Sequence, residues 1–164
     1  MRLQVMIAAV LMVGGVALAG EGLKTNYYES AVNSAPNPTI NYKKWTTSRD
    51  GKVILIREER DLSRNGKWAQ IDQIIMVDGK TAIHFLSLEG KRSVIYHPDA
   101  QVQVIHADPN GDGLLDRISL LDAKQRTVDM FQTDKTGRIT PVSDEELAKW
   151  QKQMKDFSEA MKDF

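Results

Sequence analysis

Turn-forming residues recur at short intervals between Ile40 and Val142, and this spacing constrains the fold more than any other feature of the chain. The turns are short clusters rich in Asp, Asn and Gly: Arg49-Asp50-Gly51, Arg64-Asn65-Gly66, Asp78-Gly79, Glu89-Gly90, Pro98-Asp99, Asn110-Gly111-Asp112-Gly113, Asp122-Ala123-Lys124 and Lys135-Thr136-Gly137. Asn-Gly and Asp-Gly supply the positive φ angles that tight hairpin turns require. Short apolar segments separated by turns at roughly 8–12-residue spacing predict an antiparallel meander.

The segments between the turns are rich in Val, Ile, Leu, Phe and Tyr, which favour strands. We place about eight strands, the number that this spacing allows, near residues 40–47, 52–60, 67–77, 81–88, 92–97, 101–107, 114–121 and 126–133, with a short ninth over 138–142. Val53-Ile54-Leu55-Ile56 and Ile74-Ile75-Met76-Val77 are apolar on both faces, which predicts central strands. The predicted fold class is therefore mainly β, with an antiparallel β domain over residues 40–142.

A C-terminal segment, residues 143–164, changes from strand to helix periodicity. Ser143 and Glu146 form a capping box, and a helix is predicted from about Asp144 to Asp163. Its apolar residues recur at spacings of three and four and form one stripe: Leu147, Trp150, Met154, Phe157, Met161 and Phe164. We expect this amphipathic helix to pack on the sheet and complete the core; the alternatives are that the stripe contacts a partner, a second copy or a lipid surface.

The N-terminus has the features of a secretory signal peptide. Arg2 precedes an apolar run from Val5 to Ala19, which ends in the small-x-small pattern Ala17-Leu18-Ala19. We expect residues 1–19 to be removed on export to the periplasm or the outside of the cell; an uncleaved anchor is the alternative. No later apolar stretch is long enough to cross a bilayer, so no membrane span is expected after cleavage.

Residues 20–39 are predicted to form a loosely ordered arm or linker, because Ser34-Ala35-Pro36-Asn37-Pro38 is a turn cluster. Tyr27 and Tyr28 could hold this arm against the domain, and a surface arm is the equal alternative. The chain has no cysteine, so no disulfide supports the fold. A basic excess, which a nucleic-acid-binding protein normally shows, is also missing, since 22 Lys and Arg balance 22 Asp and Glu.

The loop 108–116, Asp108-Pro109-Asn110-Gly111-Asp112-Gly113-Leu114-Leu115-Asp116, carries a cation-binding pattern. Oxygen-bearing side chains fall at its positions 1, 3, 5 and 9, and Gly113 stands at position 6. This spacing winds a loop around a hard cation, and the main-chain carbonyl of position 7 can add an oxygen. An EF-hand is not predicted, because position 12 is Ser119 and the preceding residues alternate like a strand.

This loop resembles the calcium loops of integrin α-type (FG-GAP-like) repeats and the Asp-x-Asn-Gly-Asp-Gly-x-x-Asp hairpins of exported bacterial proteins. The resemblance covers about 25 residues and implies one structural calcium ion in a loop that joins two antiparallel strands. It implies five ligands: Asp108, Asn110, Asp112, Leu114 through its main chain, and Asp116. A single copy does not imply a propeller. The alternative is an Asn/Asp/Gly-rich hairpin loop without a metal.

No catalytic motif accompanies this loop. The three histidines, His84, His97 and His106, lack zinc-ligand spacing. Three carboxylates, Glu58, Glu59 and Asp61, lie beside Arg57, Arg60 and Arg64, which predicts a solvated ion-pair network. The sequence therefore predicts an exported, calcium-stabilised β domain that serves as a binding or structural module for an unidentified protein. The alternative is a periplasmic carrier or sensor that holds an apolar ligand between the sheet and the C-terminal helix.

Overall fold

The computed structural model describes residues 22–32, 39–63, 66–109, 111 and 116–160. The predicted signal peptide, residues 1–19, lies outside this set. The described residues form two antiparallel sheets, one of six strands and one of four, followed by one α-helix. The mainly β fold predicted from the turn spacing is confirmed, with ten strands in place of about eight.

Each sheet is a meander in which consecutive strands pair. The six-stranded sheet contains β1 (Leu23–Val32), β2 (Thr39–Arg49), β3 (Lys52–Arg60), β4 (Gln70–Val77), β5 (Lys80–Leu88) and β6 (Lys91–Tyr96). The four-stranded sheet contains β7 (Gln103–Ala107), β8 (Arg117–Leu121), β9 (Thr127–Thr133) and β10 (Ile139–Pro141). The helix α1 covers Asp144–Ala160.

Strand β1 corrects the prediction of a loosely ordered arm over residues 20–39. Leu23–Val32 pairs with β2 along its length and forms one edge of the six-stranded sheet. Tyr27 lies opposite Trp45, and their ring centroids are 5.1 Å apart. An edge strand is paired on one side only, and its other side stays open to solvent. Polar residues are therefore compatible with a regular strand at this position.

The chain passes from one sheet to the other between His97 and Val102. Pro98 begins a short 3₁₀ helix, Pro98–Ala100, since proline lacks the amide donor that would continue the ladder of β6. Gln101 follows with a φ of 55° in the left-handed region, which redirects the chain. The Pro98-Asp99 turn signal therefore marks a change of sheet.

The core lies between the two sheets. Leu55, Ile75 and Ile83 occupy one row across β3, β4 and β5 and face the second sheet. The second sheet contributes a matching set of buried side chains: Ile118, Leu120, Phe131 and Ile139. Each buried aliphatic or aromatic side chain of this size contributes roughly 1.5–3 kcal/mol, so this layer holds the sheets together.

Helix α1 forms a third layer on the outer face of the four-stranded sheet. Ser143 accepts a hydrogen bond from the Glu146 amide at 3.1 Å, as the predicted capping box requires. Leu147 is buried with Met130 and Val142. The stripe then leaves the body of the protein, since Met154 is 36% and Phe157 62% exposed; its last two residues, Met161 and Phe164, lie outside the described residues. No helix in the described part of the chain is long and apolar enough to cross a membrane.

Candidate binding cleft between the sheets

The turn between β9 and β10 is held against the inner face of the six-stranded sheet by the side chain of Gln73. Its amide nitrogen donates to the Gly137 carbonyl at 2.8 Å, and its oxygen accepts from the Ile139 amide at 2.8 Å. Arg57 donates to the same Gln73 oxygen at 2.8 Å. Gln73 is 6% exposed, so these bonds satisfy a buried polar group. This contact divides the remaining space between the sheets into two clefts.

The first space, which we name the β1–β10 cleft, has a volume of about 200 Å³. Its apolar wall comprises Leu23, Trp45, Leu55, Ile139 and Pro141. Hydroxyl groups are contributed by Thr25, Thr47, Thr140 and Ser143, and positive charge by Arg57 and Arg138. None of the described residues that line this cleft carries a carboxylate. The cleft therefore joins an apolar interior to a cationic, hydrogen-bonding rim.

Arg138 is the exposed cation of this rim. Among the described residues it forms no ion pair, although its charge contributes to lowering the pKa of Asp134. Arg57 differs, because it donates to a Glu59 carboxylate oxygen from Nε at 2.9 Å and from Nη2 at 2.6 Å. The rim thus carries one paired guanidinium and one that is available to an anion.

The second space, the β6–β7 cleft, has a volume of about 250 Å³ and lies on the other side of the Gln73 contact. It shares Arg57 and Ile139 with the first. Arg92 closes one end of it: its Nη2 donates to the Thr136 carbonyl at 3.1 Å. Gly137 permits this approach, since a Cβ there would lie 3.1 Å from three guanidinium atoms of Arg92.

His106 lies at the opposite end of the β6–β7 cleft. Its Nε2 is 3.1 Å from the Tyr96 hydroxyl, and its ring meets that of Phe85 edge-on with centroids 6.4 Å apart. Burial lowers the pKa of His106, because desolvation disfavours the imidazolium. Through these contacts, His106 joins the edge of β7 to the edge of β6.

The inner face also carries Arg57, Glu59 and Tyr27, and the sequence predicts the first two in a solvated ion-pair network. The side chains of Arg57 and Glu59 are only 14% and 13% exposed. Tyr27 donates a hydrogen bond to Glu29, and burial together with Glu29 and Glu59 raises the pKa of Tyr27 to about 12. The predicted Arg57–Glu59 ion pair is thus present, but it is largely buried rather than solvated; Arg64 lies outside the described residues.

Strand alternation explains this error. Arg57 and Glu59 face the second sheet, whereas Glu58 and Arg60 lie on the outer face, where Lys44 is 3.2 Å from Glu58. These four residues are adjacent in the sequence, but neighbouring side chains of a strand point to opposite faces of the sheet, so two of them face inward and two outward. The sequence signal for this burial is the polar pair Asp72-Gln73, which interrupts the apolar residues of β4 between Ile71 and Val77; both residues are buried.

The outer face also holds a histidine–carboxylate contact. His84 Nε2 lies 2.7 Å from Asp72 Oδ1, and Arg60 donates to the other Asp72 oxygen at 2.7 Å. Asp72 is 5% exposed, beneath the longer side chains. The side chain of His84 is 25% exposed, so this contact is partly buried.

A buried cluster around Arg49 connects the sheets at the end near the helix. Arg49 Nη2 lies 3.2 Å from an Asp129 carboxylate oxygen and donates to the Val142 carbonyl at 2.8 Å. Nη1 bonds Asp144, the first residue of α1. Burial raises the pKa of Asp129, although Arg49 acts in the opposite direction. This Arg49 cluster fixes the second sheet and the helix relative to β2.

The predicted calcium loop joins β7 to β8, which are antiparallel with Ala107 opposite Arg117. Asp108 Oδ1 accepts a hydrogen bond from the Gly111 amide at 2.7 Å, so the first predicted ligand closes the loop on itself. The main-chain oxygen of Asp116 accepts from the Thr133 amide at 2.7 Å. The other three predicted ligands, Asn110, Asp112 and Leu114, lie outside the described residues. Within the described ranges, no group of three or more His, Asp or Glu side chains is placed to hold a metal.

No protein-family model, curated protein or solved structure matches this chain.

Proposed function

We propose that this chain is an exported, calcium-stabilised β domain that binds a small ligand, with an apolar body and an anionic group, in the β1–β10 cleft. The observation that carries the proposal is the lining of this cleft. An apolar wall that includes Trp45 meets the available guanidinium of Arg138 at the rim. Apolar clefts with a few polar groups that fix orientation are the usual form of small-molecule sites.

The size of the cleft limits the ligand. Its volume of about 200 Å³ is below the roughly 300–1,000 Å³ of sites for drug-sized molecules. A single aromatic or branched aliphatic acid suits this space, because its ring or chain can contact Trp45 and Ile139 while its carboxylate reaches Arg138. The hydroxyl groups of Thr140 and Ser143 can donate further hydrogen bonds to the same carboxylate.

Calorimetric titration with benzoate and with its neutral analogue benzamide tests this proposal. We expect benzoate to bind more tightly than benzamide. A charge-assisted hydrogen bond contributes about 1.5–3 kcal/mol, so Arg138→Gln should weaken benzoate binding at least about tenfold. The same substitution should leave benzamide binding unchanged, and Arg126→Gln, at an exposed arginine paired with Asp122, is the matched control. Equal affinities for the two probes, or an Arg138→Gln variant that binds benzoate normally, would contradict the proposal.

The calcium part of the proposal has separate support. The loop 108–116 joins two antiparallel strands, and its first residue closes the loop through the Gly111 amide. Extracellular modules bind calcium with dissociation constants of roughly 10⁻⁴–10⁻³ M, which suits a site without the position-12 glutamate. Calcium should therefore raise the melting temperature of the protein, and Asp112→Ala should abolish this rise. Magnesium is the control cation; a wild-type protein with no calcium-dependent shift would contradict this part.

The alternative, an apolar ligand held between sheet and helix, has less support. Helix α1 lies on the outer face of the four-stranded sheet, and the space beneath its first turns is filled by Leu147, Met130 and Val142. The clefts described above lie between the two sheets, on the opposite face of that layer, whereas the space between β9 and the helix is lined by Val128 and Met154 together with polar side chains such as Arg126, Gln151 and Lys155.

A further inference from the structure

Strand β6 forms the second edge of the six-stranded sheet and is unusually apolar for an edge. Val94, Ile95 and Tyr96 are 45%, 46% and 54% exposed. Natural edge strands are commonly protected by charged residues, prolines or bulges, because their free amides and carbonyls can pair with another strand. In β6 the charges, Lys91 and Arg92, are confined to its beginning.

The register of β5 and β6 shows which backbone groups point away from the sheet. Leu88 pairs with Lys91 across the two-residue turn Glu89-Gly90, whose φ angles are 50° and 82°. The closing pair of such a turn exchanges both ladder hydrogen bonds, and such pairs then alternate along the hairpin. The His97 amide donates to the Ala82 carbonyl at 2.9 Å, which fits this alternation.

Lys91, Ser93 and Ile95 therefore bond β5, while the amides and carbonyls of Arg92, Val94 and Tyr96 point outward. Among the described residues, no backbone hydrogen bond joins these outward groups to β7 or to another segment. Three donors and three acceptors thus stand in a row, two residues apart. A partner that satisfies all of these groups must be an extended strand, because only a strand presents backbone groups at the same spacing.

We infer that β6 pairs antiparallel with β6 of a second copy of this chain, about a two-fold axis at Val94. This register places Val94 opposite Val94 of the second copy and Arg92 opposite Tyr96 of the second copy. All three outward residues of each strand then exchange hydrogen bonds, which a shift of two residues in either direction would not allow. A two-fold contact of this kind is self-complementary and closes at the dimer.

Charge and side-chain chemistry favour the same register. The aliphatic stem of Arg92 lies beside the Tyr96 ring of the second copy, while its guanidinium keeps its contact with the Thr136 carbonyl. The two Arg92 residues are four positions apart along the strand direction, about 14 Å at a rise of about 3.4 Å per residue. Their repulsion is screened at this separation, since the Debye length is about 8 Å at physiological ionic strength. The apolar residues at the centre, Val94 and Ile95, become covered.

Sedimentation velocity on the full chain over a wide concentration series tests the inference, with Val94→Pro as the disrupting variant. Proline at position 94 removes an amide that points away from β5, so the β5–β6 ladder and the circular dichroism spectrum should be preserved. The wild type should dimerise, Val94→Pro should remain monomeric, and Val94→Thr, which keeps the amide and the branched shape, should dimerise.

A cysteine variant provides a second measurement that does not depend on how the fold tolerates proline. The chain has no cysteine of its own, so Val94→Cys introduces a single thiol. Paired Cα atoms at a hydrogen-bonded antiparallel position are about 5.5 Å apart, within disulfide range. Val94→Cys should form a disulfide-linked dimer, and Val128→Cys, at an exposed residue of β9, should not. A wild type that stays monomeric at every concentration, or equal crosslinking of the two variants, would overturn the inference.

Discussion

Replacing Arg49 with methionine should cause a large loss of stability. The substitution retains most of the side-chain length but removes the charge that faces Asp129 and Asp144 and the hydrogen bond to the Val142 carbonyl. The side chains of Arg49 and Asp129 are 10% and 8% exposed, so solvent cannot replace the lost contacts. Removing one partner of a buried ion pair costs about 3–5 kcal/mol, because the other charge stays buried. At about 2–4 °C per kcal/mol for a chain of this size, the melting temperature should fall by about 10 °C.

The loss should also depend on pH. Without Arg49, the carboxyl of Asp129 loses the positive charge that opposes the effect of burial, so its folded-state pKa rises further. A carboxyl whose pKa is raised on folding costs no stability at a pH where it is protonated in both the folded and the unfolded protein. The cost appears as the pH rises above the unfolded-state pKa, and it is complete once the pH has passed the folded-state pKa. The difference between wild type and Arg49→Met should therefore be larger at neutral than at acidic pH.

Urea denaturation at both pH values measures this difference, with an unchanged m-value as the condition for comparing stabilities. The control is Arg126→Met, which removes an arginine whose side chain is 71% exposed from its pair with Asp122. Exposed pairs contribute little, so the control should unfold close to the wild type. A loss below about 1 kcal/mol for Arg49→Met at neutral pH, the range of an exposed pair, would refute the reasoning. So would a loss that is the same at both pH values.

Two further predictions concern the clefts. Gln73→Ala should destabilise the fold by about 1–3 kcal/mol, because the buried Ile139 amide loses its acceptor. Amide hydrogen exchange should then increase first at β10, and a uniform increase over all strands would contradict a local role. Below a pH of about 6.5, the ordinary pKa of histidine, stability should fall as His106, whose pKa is lowered by burial, becomes protonated. His106→Gln cannot take up this proton, so a wild type and variant with the same pH dependence would exclude this role.

The strand pattern could be predicted because turn residues act locally. The hairpin turns Asp50-Gly51, Asp78-Gly79 and Glu89-Gly90 all have positive φ at both residues, the turn geometry that Asp-Gly pairs favour. The helix was equally accessible, because its cap and its apolar stripe lie within one segment. Strand β1 was missed because the ladder of an edge strand is specified by its neighbour, and its own alternation of polar residues is weak.

The candidate site could not be predicted from the sequence, because it depends on contacts between distant segments. Gln73 and Ile139 are 66 residues apart, and their hydrogen bond sets the boundary between the two clefts. Arg57 and Glu59 resemble surface charges until the second sheet is placed over them. The change of sheet occurs at Pro98, but the sequence does not show which faces of the two sheets then meet.

A ¹H–¹⁵N NMR titration of the full chain with benzoate tests the central claim most directly, because it reports where an aromatic anion binds. Shifts should be concentrated at the Trp45 indole and at the amides of Leu23, Ile139 and Thr140, which line the β1–β10 cleft. Benzamide should produce smaller shifts at the same positions, and Arg138→Gln should reduce the benzoate shifts to the benzamide level. No saturable shift at these residues, or shifts centred on the exposed helix residue Phe157, would contradict the claim.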